Sequence, residues 1–108
     1  MNSLELKELI DRNGYLLDYS QWTETIAIEF ARQEKIKLSD KHWEIIALLQ
    51  QYYDEFDAPP ATRALVRYIK KKLGPEKGNS LYLMSLFPGS PVRIGSRIAG
   101  LPKPRNCL

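Results

Sequence analysis

Cysteine and histidine are nearly absent, one of each in 108 residues. A lone Cys cannot close an intrachain disulfide, supply a Cys-x-x-Cys redox pair or hold a zinc finger. With a single His beside it, no His- or Cys-based metal site can be assembled, so neither a metal nor a cofactor is expected. No apolar run approaches the ~20 residues of a membrane helix. The opening MNSLELKELIDR is charged throughout and has no signal-peptide core. A cytoplasmic protein with no membrane partner is the expectation. No Gly-rich phosphate loop of the P-loop or Rossmann type is present. Acid is scarce in the second half, where Glu76 is the only carboxylate side chain after Asp57.

What is present is ordinary in bulk and uneven in order. Hydrophobic residues are 44% and charged residues 27%, the composition of one globular domain. Residues 1–57 carry six basic against twelve acidic side chains, and residues 58–108 carry ten against one. A molecule with a basic face or end follows, suited to nucleic acid, to an acidic protein, or to water alone.

The pattern along the chain is helical. Leu4, Leu6, Leu9 and Ile10 fit short strands or one weak helical turn. Asn13-Gly14 is a turn signal, so a short N-terminal β-hairpin is expected. Thr23 caps a helix with the stripe Ile26, Ala27, Phe30, Ala31. Ser39 caps a longer one, Asp40 to Phe56, whose inward stripe reads Trp43, Ile46, Ala47, Leu49, Tyr53, Phe56. Pro59-Pro60 opens a third, with Ala64, Leu65, Tyr68, Ile69 and Leu73 inward and Gly74-Pro75 as its stop. Asn79 or Ser80 caps a fourth, Leu81 to Phe87. A fifth runs from Pro91 to about Ala99 and ends at Gly100. Pro102 and Pro104 disfavour helix in LPKPRNCL, which reads as an extended arm. The fold class is mainly α (α+β): a small helical bundle with a short β-hairpin and a helix-turn-helix-like core. Residues 1–100 form a single domain and 101–108 a mobile arm.

Cys107 is the candidate reactive group. It stands on the proline-stiffened arm beside Lys103 and Arg105, and cationic neighbours favour the thiolate. An ordinary thiol, with a pKa of roughly 8.5, is only about 3% thiolate at pH 7. Leu101 to Cys107 spans about 20 Å when extended. A thiol on such an arm suits a carrier that visits other proteins rather than a stand-alone catalyst, which holds its nucleophile rigidly beside a base. His42 is the only imidazole that could be that base, and an ordinary hydrogen-bonded role accounts for it. Asp54, Glu55 and Asp57 read as a solvated helix end. Arg63, Arg67 and Lys70/Lys71 recur at three- and four-residue spacing on one helix face. They are candidate contacts for a partner or for nucleic-acid phosphates. The aromatic residues fall mostly on apolar stripes and read as core.

Several segments together carry a resemblance. They are Gly14-Tyr15-Leu16, Trp22-Thr23, HWEII at 42–46, PPATRALVRYIKKKLG at 59–74 and GNSLYLMSLFPGSPVRIGSRIAGLPKPRNCL at 78–108. The chain resembles the DsrC/TusE family of sulfur-carrier proteins over almost its whole length. The resemblance implies a mainly helical bundle with a mobile C-terminal arm, and a penultimate Cys, here Cys107, that carries sulfur as a persulfide. It implies a second Cys, with ten residues between the two, in DsrC-like members that partner dissimilatory sulfite reductase. Ser96 occupies that position, which points to the TusE-like branch. That branch implies relay of sulfur toward 2-thiouridine in tRNA, from a TusBCD-type donor complex to an MnmA-type thiouridylase. Lys103 and Arg105, with Arg93 and Arg97 on the preceding helix, would stabilise the thiolate and persulfide anions. The competing expectations are a sulfite reductase-like partner, a helix-turn-helix nucleic-acid-binding regulator using residues 63–77, and a chaperone-like module in which Cys107 is incidental.

Overall fold

A computed structural model describes residues 3–105, with side chains from Glu5 onward. Its elements are α1 (Ser3–Lys7), a 3-10 turn (Tyr19–Gln21), α2 (Glu24–Gln33), α3 (Asp40–Phe56), α4 (Thr62–Leu73), α5 (Ser80–Leu86) and α6 (Pro91–Ile98). Among the described residues no helix is long and apolar enough to cross a membrane.

Local chemistry sets the helix starts. The Thr23 hydroxyl accepts from the Ile26 amide at 3.2 Å. The Asn79 carboxamide accepts from Tyr82 at 2.9 Å and donates back to the Pro75 and Glu76 carbonyls. Ser90 accepts from Arg93, and Pro91 occupies the first turn, where its missing N–H costs nothing. The α4 start differs from expectation. Pro59 and Pro60 precede the helix instead of opening it; Ala61 takes the cap position and makes no side-chain bond.

The expected β-hairpin is corrected. The chain does reverse, through an Asp11 carboxylate that accepts from the Asn13 and Tyr15 amides. Yet the antiparallel pairing is a single bridge, Ile10 to Leu16. Helix α1 ends at Lys7 on one side, and Asp18 caps the 3-10 turn immediately after Leu17 on the other. No length is left for a strand. The helical-turn reading of the first residues is the one realised, with Leu6 buried.

Helix α6 is the centre of the bundle and packs against α2, α3, α4 and α5. Val92 and every residue from Ile94 to Ile98 are buried, so a helix of only eight residues is enclosed on most sides. Helix α2 buries the expected Ile26, Ala27, Phe30 and Ala31. Helix α3 buries His42, Ile45, Ile46, Leu48 and Leu49; of the stripe expected, Ile46 and Leu49 are buried, Trp43 and Tyr53 pack partly buried against the core, and Ala47 and Phe56 are exposed. The helix packs against both α4 and α6. Gly78 is required by a close approach, because a Cβ there would lie 2.2 Å from the Lys70 Cα.

Candidate functional site

The site begins where α6 ends. Ile98, Ala99 and Leu101 are fully buried, so the root of the arm is core. Its backbone is held by side chains distant in sequence. The Trp22 indole N–H donates to the Ile98 carbonyl at 2.8 Å, and the Gln50 amide donates to the Ala99 carbonyl at 3.0 Å. These are helix-end acceptors that would otherwise lack partners. Gly100 turns the chain at φ +83°, and a Cβ there would lie 2.5 Å from the Trp22 ring. The Leu101 amide then returns to the Ser96 carbonyl at 2.9 Å, which fixes the direction in which the arm departs.

From there the arm runs past the end of α3 and the α3–α4 linker. An open cavity of about 480 Å³ separates them, lined by Tyr53, Asp57, Pro59 and Ala61 on the body and by Pro102, Lys103 and Arg105 on the arm. Pro104 is buried while Lys103 and Arg105 are exposed. Two arm cations therefore border a cavity that also contains the Asp57 carboxylate. Cys107, the candidate reactive group, lies outside the described residues.

The other expected supporting cations separate. Arg93 is exposed, and its carbonyl accepts from the Tyr15 hydroxyl at 3.3 Å. Arg97 is buried and fully engaged. It donates to the Gly14 carbonyl at 2.9 Å, to Glu34 at 3.2 Å and to the Gln33 carboxamide, with its guanidinium 4.5 Å above the Phe30 ring. Its observed partners join α6 to α2 and the N-terminal turn. Arg63, Arg67, Lys70 and Lys71 lie exposed along α4 and form no ion pair among the described residues.

His42 is buried and structural. The Ser39 amide donates to its Nδ1 at 3.1 Å, so the proton sits on Nε2, which donates to the Leu86 carbonyl at 2.8 Å. A ring committed at both nitrogens has no lone pair left to act as a base. Ser96 is fully buried and its hydroxyl has no hydrogen-bond partner among the described residues. Among the described residues no group of three or more His, Cys, Asp or Glu side chains is arranged to hold a metal ion.

Sequence reasoning missed Trp22 and Gln50 as residues that hold the root of the arm. Trp22 was legible as large and apolar; that its N–H meets a carbonyl 76 positions away was not.

The family description "DsrC like protein" matches residues 4–108. The chain is 49% identical over 98 residues to "Sulfurtransferase TusE" of Photorhabdus laumondii, covering 91% of this chain and 88% of that protein. It is 44% identical over 108 residues to "Sulfurtransferase TusE homolog" of Haemophilus influenzae, covering 100% and 97%. Among solved structures it is similar to Allochromatium vinosum DsrC, with TM-score 0.82, 45% identity and coverage of 92% and 88%. It is also similar to the oxidized gamma-subunit of dissimilatory sulfite reductase from Archaeoglobus fulgidus, with TM-score 0.76, 36% identity and coverage of 92% and 90%. The chain belongs to the DsrC-like protein family.

Proposed function

We propose that this chain is a sulfur carrier of the TusE kind, in which residues 1–100 form the body and 101–108 the arm that presents Cys107. The observation that carries this reading is the near-full-length identity to proteins named as TusE sulfurtransferases, within a family match that extends through Cys107. The Cys107 thiolate attacks the terminal sulfur of a donor persulfide, R–S–SH. A bond forms between Cys107 Sγ and that sulfur, the donor S–S bond breaks, and the donor leaves as a thiolate with the electron pair. Cys107 is left as a persulfide, and the acceptor repeats the exchange. Lys103 and Arg105 favour the anionic forms on both sides of the step. The TusE-like reading is preferred to a DsrC-like partnership with sulfite reductase because the chain has one Cys and a buried Ser at position 96.

A TusBCD-type donor complex and an MnmA-type tRNA thiouridylase are the partners this reading assigns, in the cytoplasm where tRNA is modified. The α4 cations Arg63, Arg67, Lys70 and Lys71 are then the partner-facing side of the body. The test is intact mass spectrometry after incubation with a cysteine desulfurase, free cysteine and a sulfur relay. A one-sulfur adduct that reductant removes and Cys107→Ser abolishes is expected. No adduct with a competent relay overturns the reading.

A further inference from the structure

Helices α4 and α5 do not close fully over α6. Between them lies a groove with two zones. The inner zone is a narrow apolar cleft of about 50 Å³ with Leu65, Val66, Leu83, Met84 and Val92 in its walls. The outer zone is an open depression of about 410 Å³ bordered by Thr62, Arg63, Val66, Arg67 and Ser80. On the α5 side the wall includes Met84, a large apolar side chain that is 42% exposed.

The charges at this groove are all of one sign. Arg63 and Arg67 stand one turn apart on its rim, with Lys70 and Lys71 a turn further along α4. Carboxylates pair with Arg32, Lys77 and Arg97 elsewhere in the molecule. None does so for these cations among the described residues. Residues 58–108 contain only Glu76 to offer.

An occupant must therefore bring both carbon for the floor and negative charge for the rim. A nucleic-acid backbone would use the cations and leave the apolar floor uncovered. An amphipathic helix with acidic flanks uses both. From Thr62 to Arg67 the rim runs about 7.5 Å, room for between one and two turns of such a helix.

The groove also lies beside the arm. Ala61 borders the cavity along Pro102 to Arg105, and Thr62, the next residue, borders the groove. Helix α6 supplies Val92 to the groove and continues into the arm. A partner seated here is held by the rigid body within the arm's reach.

We propose that the groove between α4 and α5 docks an acidic amphipathic helix of a protein that exchanges sulfur with Cys107. The identity of that partner rests on the carrier reading above; the groove's preference for an acidic helix does not.

The probe is a fluorescein-labelled synthetic helix of about 16 residues, with Leu along one face and Glu on its flanks. A second peptide replaces every Glu by Lys. Anisotropy titration and amide chemical-shift mapping are done on the full chain. The Glu peptide is expected to bind and to shift the amides of residues 62–67, 80–84 and 92. The exposed double variant R63E/R67E, with its helicity checked by circular dichroism, is expected to bind the Glu peptide at least ~10-fold more weakly and to gain affinity for the Lys peptide. Met84→Asp is expected to weaken the Glu peptide without any change in rim charge. Shifts confined to another surface, equal affinity for the two peptides, or R63E/R67E binding like the parent would overturn the proposal. An RNA hairpin that binds the same residues more tightly than the Glu peptide overturns it in favour of nucleic acid. Self-association abolished by Met84→Asp overturns it in favour of a second copy of this chain. Loading of Cys107 from inorganic polysulfide, a donor with no surface to dock, is read in parallel. If no version of the chain loads, the carrier reading fails while the peptide result still decides the groove.

Discussion

Arg97 has three polar partners and an aromatic ring beneath it, and only 10% of its side chain is exposed. Replacement by Met keeps the bulk and removes the donors. The Gly14 carbonyl loses a bond, and Glu34 loses its counter-ion in a half-buried place. A loss of about 2–4 kcal/mol in urea unfolding is expected. Ser96 has the opposite balance. Its buried hydroxyl has no partner among the described residues, so Ser96→Ala should be neutral or stabilising by up to about 1 kcal/mol in the same assay. On the surface, bonds from Arg32 and Gln33 hold the Glu29 carboxyl down from 4.5 to about 2. A depressed carboxylate stabilises the fold fully above pH 4.5, and that contribution fades as pH falls toward 2. Glu29→Gln should therefore unfold with a shallower acid dependence between pH 4.5 and 2. The effect is small because the helix face is open to solvent.

At the scale of elements, the end of α6 combines a turn, two side-chain caps and a ring contact within four residues. Gly100 is the weak point, since its φ of +83° and the Trp22 ring both reject a side chain. Gly100→Ala is expected to cost at least ~2 kcal/mol. Faster amide exchange at Leu101, whose N–H holds the Ser96 carbonyl, would report it. The same lesson in reverse explains α3. Its start was legible because Ser39 and His42 are three residues apart, and helix-start bonds span that distance. Its inward face was legible in part. Apolar periodicity found Ile46 and Leu49, with Trp43 and Tyr53 against the core, but it also favoured the exposed Ala47 and Phe56, and packing against two helices brought in His42, Ile45 and Leu48.

At the scale of the whole molecule, the two oppositely charged halves of the sequence are not separate halves in space. Glu34 and Glu44 from the acidic half pair with Arg97 and Lys77 from the basic half. Of the basic half, the cations left without a carboxylate among the described residues are those of α4 and of the arm together with Arg93, so sequence charge and surface charge differ by what folding neutralises. The body and arm can then be tested apart. Leu101→Ala empties a fully buried site and is expected to cost about 2–5 kcal/mol. Lys103→Ala with Arg105→Ala touches exposed side chains only. It should leave the urea midpoint within error yet slow persulfide loading of Cys107, measured by the rate of mass gain.

The sequence by itself determined the five longer helices to within a residue or two, because caps, stop signals and helical hydrogen bonds act over three or four positions. It also determined the single thiol, the proline-bearing arm and the basic stripe of α4, which are matters of residue identity and spacing. Tertiary structure decided the rest. It reduced the hairpin to one bridge, committed Arg97 and His42 to the frame, and tied the arm's root to Trp22 and Gln50. It also left Arg63 and Arg67 without carboxylates above an apolar groove. Each of these depends on groups tens of positions apart being brought within a few ångströms, and only the packing of α6 among its four neighbours does that.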